Sequence, residues 1–298
     1  MKVISDQVYK FSKDNKPCET ILPGEVVKFK ALDCFSNTIT NESITMQSTD
    51  FSYDVANPAA GPVFVQGAEP GDVLVVDVYD VQVADHGVIA TDDHCGPLFE
   101  GTDYRSKIIQ ITDGMADFNG IKIAINPMVG VMGTAPDGDD VIDGYVGDHG
   151  GNMDCKLITK GSRLYFPVRV PGALLQMGDV HAIMGDGELC GTGLEIPADI
   201  TVKTSIIKDF KLNWPVLETD DYWYVIACGQ EYNDVVTNVC KEMRRLIMGI
   251  TGWDAVETYM FMSVRCDLEV NQGCKPCAVP MVLRLGFPKD AQFAPLVS

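Results

Sequence analysis

Over the first two thirds of the chain, apolar residues come in short alternating runs, and Gly, Pro, Asn and Asp separate one run from the next. The clearest run is Val73 to Val83, VLVVDVYDVQV, where Asp77 and Gln82 stand among valines as on a strand with one wet face. Glu69-Pro70-Gly71-Asp72 is a turn signal just before it. Ile121 to Ile125 and Leu164 to Val170 read as further strands, and Pro167 marks the second as an edge or a bulge. Many short strands with frequent turns predict a sandwich or a barrel.

Helical spacing appears only late. Val235, Val236, Val239, Met243, Leu246 and Ile247 share one helical face, after candidate caps at Asn233 and Asp234. Gly249 is the expected stop. A second helix is expected from Thr251, with Asp254 in the capping-box position and Val256, Tyr259, Met260, Ser263 and Val264 as its buried stripe. The methionines on both stripes read as core filling.

The chain has 298 residues, 46% hydrophobic and 22% charged, which describes a globular chain with ample core. Its net charge of −19 speaks against nucleic-acid binding and against docking on anionic membranes. The first residues show no apolar leader and no run is long enough to cross a bilayer, so a cytoplasmic protein with reduced thiols is expected. Of ten cysteines only Cys274 and Cys277 form a C-x-x-C pair, and no second pair completes a zinc ribbon. The pair also lacks a βαβ context, so it reads as structural.

Two glycine- and acid-rich runs hold two of the four histidines. HGGNMD carries His149, Asn152 and Asp154, and GDVHAIMGDGELCGTGLE carries His181, Asp186, Glu188 and Glu195. Imidazole and carboxylate together suit a hydrolytic metal site, and glycine lets backbone approach a ligand. His149, Asp154 and His181, with Asp186 next, are the candidate ligands of a divalent metal. Zinc is the expected ion, and the surplus of Asp and Glu leaves room for calcium in addition.

The stretch from HGGNMD through GTGLE resembles the signature region of the acetamidase/formamidase family. NPAAGPVFVQGAEPGDVLVVDVYDV from Asn57 to Val81, PMVGVMGTAP from Pro127 to Pro136, and the tail from Trp253 through DLEVNQ resemble further blocks of that family, in the same order. The chain departs most between His86 and Arg105, where ATDDHCGPLFEGTDY is unusually polar. The resemblance implies a mainly β, β-sandwich-like fold with an α+β C-terminal portion. The chain is then a single unit, β-rich over roughly 1–205 and α+β over roughly 206–298. It also implies hydrolysis of a small linear amide to ammonia and a carboxylate, and a homodimer or larger homo-oligomer.

A carboxamide has a weakly electrophilic carbonyl and a poor leaving group. One divalent metal meets half of that difficulty by activating water and polarising the carbonyl, and a carboxylate then moves the proton. Glu69, in the GAEPGD turn, is the first candidate for that carboxylate, with Glu195 and Glu188 behind it. Asn152 is a candidate oxyanion donor. Two other readings compete. One is a Cys-dependent amidase using Cys155 or Cys190, whose acidic neighbours weaken a thiol nucleophile. The other is a non-catalytic, metal-containing β-sandwich that binds a ligand. His86 and His94 lie in the divergent stretch, and His94, beside Asp92, Asp93 and Cys95, suits metal binding or substrate entry.

Overall fold

The computed structural model describes residues 1–49 and 51–298. Its frame is two large sheets. The first has nine strands, in the order Lys2–Ile4, Val26–Ala31, Ala198–Ile207, Val73–Val83, Arg163–Pro167, Val216–Glu218, Tyr222–Gly229, Met281–Pro288, Asp267–Gln272. The second has seven strands and is centred on Met128–Gly133, Leu175–His181 and Ala59–Val65. Alternation explains how the nine-stranded sheet is used. Leu74, Val76 and Val78 face the core between the sheets with Leu164, Ile200, Val129 and Met177, whereas Val73 and Val75 face the opposite side. That opposite side is covered by helix α1 (Tyr232–Thr251), whose Val239, Met243, Leu246 and Ile247 pack on Val225, Ala227, Leu285 and Phe287. The wet face expected of Val73–Val83 is confined to its second half, at Tyr79, Asp80 and Gln82.

The fold is therefore a mainly β sandwich with helices near the C-terminus. The nine-stranded sheet mixes strands from before and after residue 205. The Ile121–Ala124 and Arg163–Pro167 strands form where the pattern places them, and the second ends on Pro167. Helix α1 runs through Gly249 to Thr251, and Gly252, in the left-handed conformation, caps it. Asp254 caps helix α2 (Ala255–Arg265) by accepting from the N–H groups of Val256 and Glu257. The stripe assigned to this helix needs correcting: Val256, Tyr259, Met260 and Val264 are exposed, while Thr258 and Met262 are buried. No helix among the described residues is long and apolar enough to cross a membrane.

A small four-stranded sheet (His86–Thr91, Arg105–Thr112, Met115–Phe118, Ile121–Ala124) reaches back to the sandwich through Val88, which bridges Glu195. That bridge and the turn after His181 bring distant segments to one end of the seven-stranded sheet.

Candidate active site

At that end the antiparallel pair Met128–Gly133 and Leu175–His181 keeps register at Val129 and Val180 and at Val131 and Gly178. Between those pairs lie Gly130 and Asp179, and Asp179 has a φ of 52°. A Cβ on Gly130 would come within 2.7 Å of Asp154 Oδ1 and 2.8 Å of Asp179 Oδ2, so only glycine leaves room for both carboxylates. Asp154, Glu188 and Asn57 also have left-handed backbone, with φ of 40°, 44° and 54°. Each such non-glycine conformation costs on the order of 1–3 kcal/mol, and this kind of strain gathers at working sites. Glu195 is pinned from behind, because Val88 and Glu195 exchange N–H···O bonds of 2.8 Å in both directions. Gly193 lies flat on the His181 ring, where a Cβ would meet ring atoms at 2.7 Å.

The result is four carboxylates around one imidazole, all buried. His181 Nε2 lies 3.1 Å from Glu195 Oε1, 3.6 Å from Asp179 Oδ1 and 3.9 Å from Glu188 Oε1. Neither ring nitrogen is aligned for a hydrogen bond, and Asp154 Oδ1, Asp179 Oδ1 and Glu195 Oε2 also lack a partner. The partners that do exist are amides. Gln272 Nε2 donates to Asp154 Oδ2 at 2.6 Å and to Glu188 Oε2 at 2.8 Å. Asn57 Nδ2 donates to Asp179 Oδ2 at 3.0 Å, and the Gly193 N–H to Glu195 Oε1 at 2.8 Å. Burial, reinforced by the neighbouring acids, holds the Asp154 carboxyl well above the usual range. Burial likewise pushes Glu188 up to about 7 and Glu195 up to about 8, with His181 opposing both shifts.

Asn57 and Gln272 also line a cavity of about 70 Å³, with Asn152, Phe35 and several cysteines on its wall. It holds a few heavy atoms and no more. Two groupings place ligand atoms within 4.8 Å of one another, Asp154, His181 and Glu188, and Cys34, Asp179 and Glu195; the cavity reaches them through Cys34 and through the amides of Asn57 and Gln272 that bond their carboxylates.

The structure thus brings together Asp154, His181, Glu188 and Glu195. It does not bring His149 to them. His149 is buried edge-on against Phe11 at 4.8 Å, between glycines whose missing side chains make room for its ring. Burial, then the Arg169 charge, pushes it down to about 3, as suits a neutral packed ring. Asp186 turns the other way, into a two-point pairing with Arg284 at 2.9 Å per contact and an ion pair with Lys156 at 2.8 Å. Glu69 stands exposed in its turn and makes only backbone contacts with Asp72. Asn152 is buried on the cavity wall; its Nδ2 donates to the Gly144 carbonyl at 3.3 Å and its Oδ1 has no partner. Cys155 is buried, which pushes its thiol up to about 11. Cys190 is half-buried on the cavity wall. His86 pairs with Asp85 at 2.7 Å, and His94 is exposed beside Asp93. Asp179, Asn57 and Gln272 were not singled out from the sequence. Asp179 carried a usable signal, since it sits two positions before His181 on one strand.

Comparison with known proteins bears on the family of the chain. The sequence model of the acetamidase/formamidase family matches residues 5–145 and 138–290. The formamidase of Methylophilus methylotrophus is 28% identical over 63% of this chain and 61% of its own length. The acetamidase of Mycolicibacterium smegmatis is 25% identical over 63% of each. The chain thus spans about three fifths of the length of these curated relatives. The crystal structure of acetamidase from Bacillus halodurans superposes with a TM-score of 0.91 at 33% identity, covering 96% of this chain and 97% of that one.

Proposed function

The chain belongs to the acetamidase/formamidase family, and from that premise we propose that it hydrolyses a small linear carboxamide to ammonia and a carboxylate at the His181 cluster. The observation that carries this reading is the buried, unbalanced set of four carboxylates and one imidazole beside a cavity of about 70 Å³. Acids crowded out of water are expensive unless a cation joins them. The unpartnered atoms of Asp154, Asp179, His181 and Glu195, and the cradle kept open by Gly130, fit such an ion. Asp154, His181 and Glu188 would hold it. Mixed imidazole and carboxylate ligands suit zinc better than calcium, which takes six to eight oxygens. A divalent ion, when bound, activates water and draws charge from a carbonyl oxygen.

The remaining steps fall to the chain's own residues. Glu195 has one oxygen fixed by the Gly193 N–H and the other without a partner, so it can receive a proton and deliver it to the departing nitrogen. Asn152 keeps an N–H beyond the one given to Gly144, and that hydrogen can meet the amide oxygen. Gln272 holds Asp154 and Glu188 in position with its amide. The cavity's size favours formamide and acetamide over longer amides.

Elemental analysis and an ammonia assay on the purified full chain test this. The expected result is bound divalent metal, ammonia released from formamide or acetamide, and the loss of that activity together with one equivalent of metal in His181→Ala. Hydrolysis persisting in metal-stripped protein but lost in Cys190→Ala would replace this reading with thiol catalysis. Bound metal without any amide hydrolysis would leave a ligand-binding module.

A further inference from the structure

A second cluster stands on the wall of the same cavity. Cys95, Cys274 and Cys277 place their sulfurs within 4.8 Å of one another, and the Cys274 and Cys277 sulfurs are 3.6 Å apart. We infer that these three thiols form a separate site for a soft divalent cation of the zinc class, which ties two loops of the cavity wall together.

The spacing supports a chelate. Zinc–sulfur bonds of about 2.3 Å in a tetrahedron place neighbouring sulfurs about 3.8 Å apart. The loops are already held at the distance such an ion requires: the Gly96 N–H donates to the Cys274 carbonyl at 2.7 Å. The third wall segment is cut to fit the sulfur. Gly191 has φ of 84°, and a Cβ there would lie 2.5 Å from Cys95 Sγ. Charge is arranged in the same sense. Lys275 folds its ammonium back on the loop, 3.2 Å from the Cys277 carbonyl and against that of Val279. Three protein ligands leave the fourth tetrahedral position to solvent.

Cys95 comes from the polar stretch His86 to Arg105, and Cys274 and Cys277 come from the loop after the Asp267–Gln272 strand. Cys95 and Cys274 line the cavity together with Gln272, the residue that bridges Asp154 and Glu188. An ion at the thiols would therefore stiffen the wall beside the carboxylate cluster without entering it.

Cobalt titration of the reduced, metal-stripped full chain tests the inference. A sulfur-to-cobalt charge-transfer band should grow to about one equivalent. The band should be lost in Cys95→Ser and in Cys277→Ser, and kept in His181→Ala and in Cys18→Ser. Because a serine variant can fail to fold, the unaltered protein provides a second reading. Zinc should shield Cys95, Cys274 and Cys277 from alkylation, mapped by mass spectrometry, and leave Cys18 reactive. No thiolate band, a band that survives both serine variants, or a Cys274–Cys277 disulfide forming in place of metal binding would each overturn it. Retention of the band in His181→Ala separates this site from the carboxylate cluster.

Discussion

Two buried charged clusters lie side by side and draw on the same segments. Asp186 feeds one and Glu188 the other; Glu269 and Asn271 serve the first, Gln272 the second. In the first, Arg284 is almost fully buried and every contact is balanced. Its guanidinium reaches Asp186 twice, Glu269, Asn271 Oδ1 at 2.8 Å and the Val270 carbonyl at 3.2 Å, and it lies over the Tyr224 ring. In the second, four acids share one imidazole and leave several atoms without partners. A cluster that only supports the fold satisfies its own charges. A cluster that leaves them open fits the cation proposed above. The same contrast holds against Glu242, which is buried on α1 but matched by Arg245 and by both N–H groups of Asn213.

The sharpest way to break this contrast is to substitute on each side. Glu195→Gln should lower turnover on formamide by roughly 10²–10⁴-fold, while its melting temperature holds or rises, because one unbalanced acid is gone. A drop in stability with turnover intact would make the cluster structural. Arg284→Met should do the reverse. Unpairing Asp186 and Glu269, which are part-exposed and of which Asp186 keeps Lys156, should cost about 1.5–3 kcal/mol in urea unfolding, with activity per folded molecule retained. Zinc should sharpen the difference: at about 100 times Kd for the carboxylate cluster it should add about 2.7 kcal/mol of stability, and His181→Ala should remove that share of the gain while leaving the share due to the thiols.

Smaller effects follow. At Glu242 burial alone would raise the carboxyl, but Arg245 and Asn213 outweigh it and hold it below its ordinary value of 4.5. Its stabilisation is therefore full above that value and lost as pH falls through the lower, folded one. Melting temperature against pH should fall more steeply below 4.5 in the parent than in Glu242→Gln. Glu69→Gln should be the weakest change, within about 0.5 kcal/mol of parent stability and with unaltered turnover. A large loss of turnover there would mean that the exposed turn reaches the site.

Alternation made the sandwich legible, because a period of two records both faces of each strand. It failed for α2, where spacing shows which residues share a face and not which face meets the core. For the site, the glycine-rich runs pointed to Asp154 and His181. They could not separate those from His149 and Asp186. Gly150 and Gly151, with φ of 97° and 90°, turn the chain between His149 and Asp154, so the two face different surroundings. Asp186 and Glu188 are parted in the same way by the turn at Glu188. Gln272 was not legible at all, since its role depends on pairing with a segment more than eighty residues earlier.

That long reach has a bearing on synthesis. During translation the growing chain carries Asp154, Asp179, His181, Glu188 and Glu195 well before the amide of Gln272 emerges, and Arg284 follows later still. The Val73–Val83 strand must likewise wait for Ala198–Ile207. Pairings this distant in sequence make for slow folding. For that interval Asp154 and Glu188 lack the amide that bridges them in the folded chain.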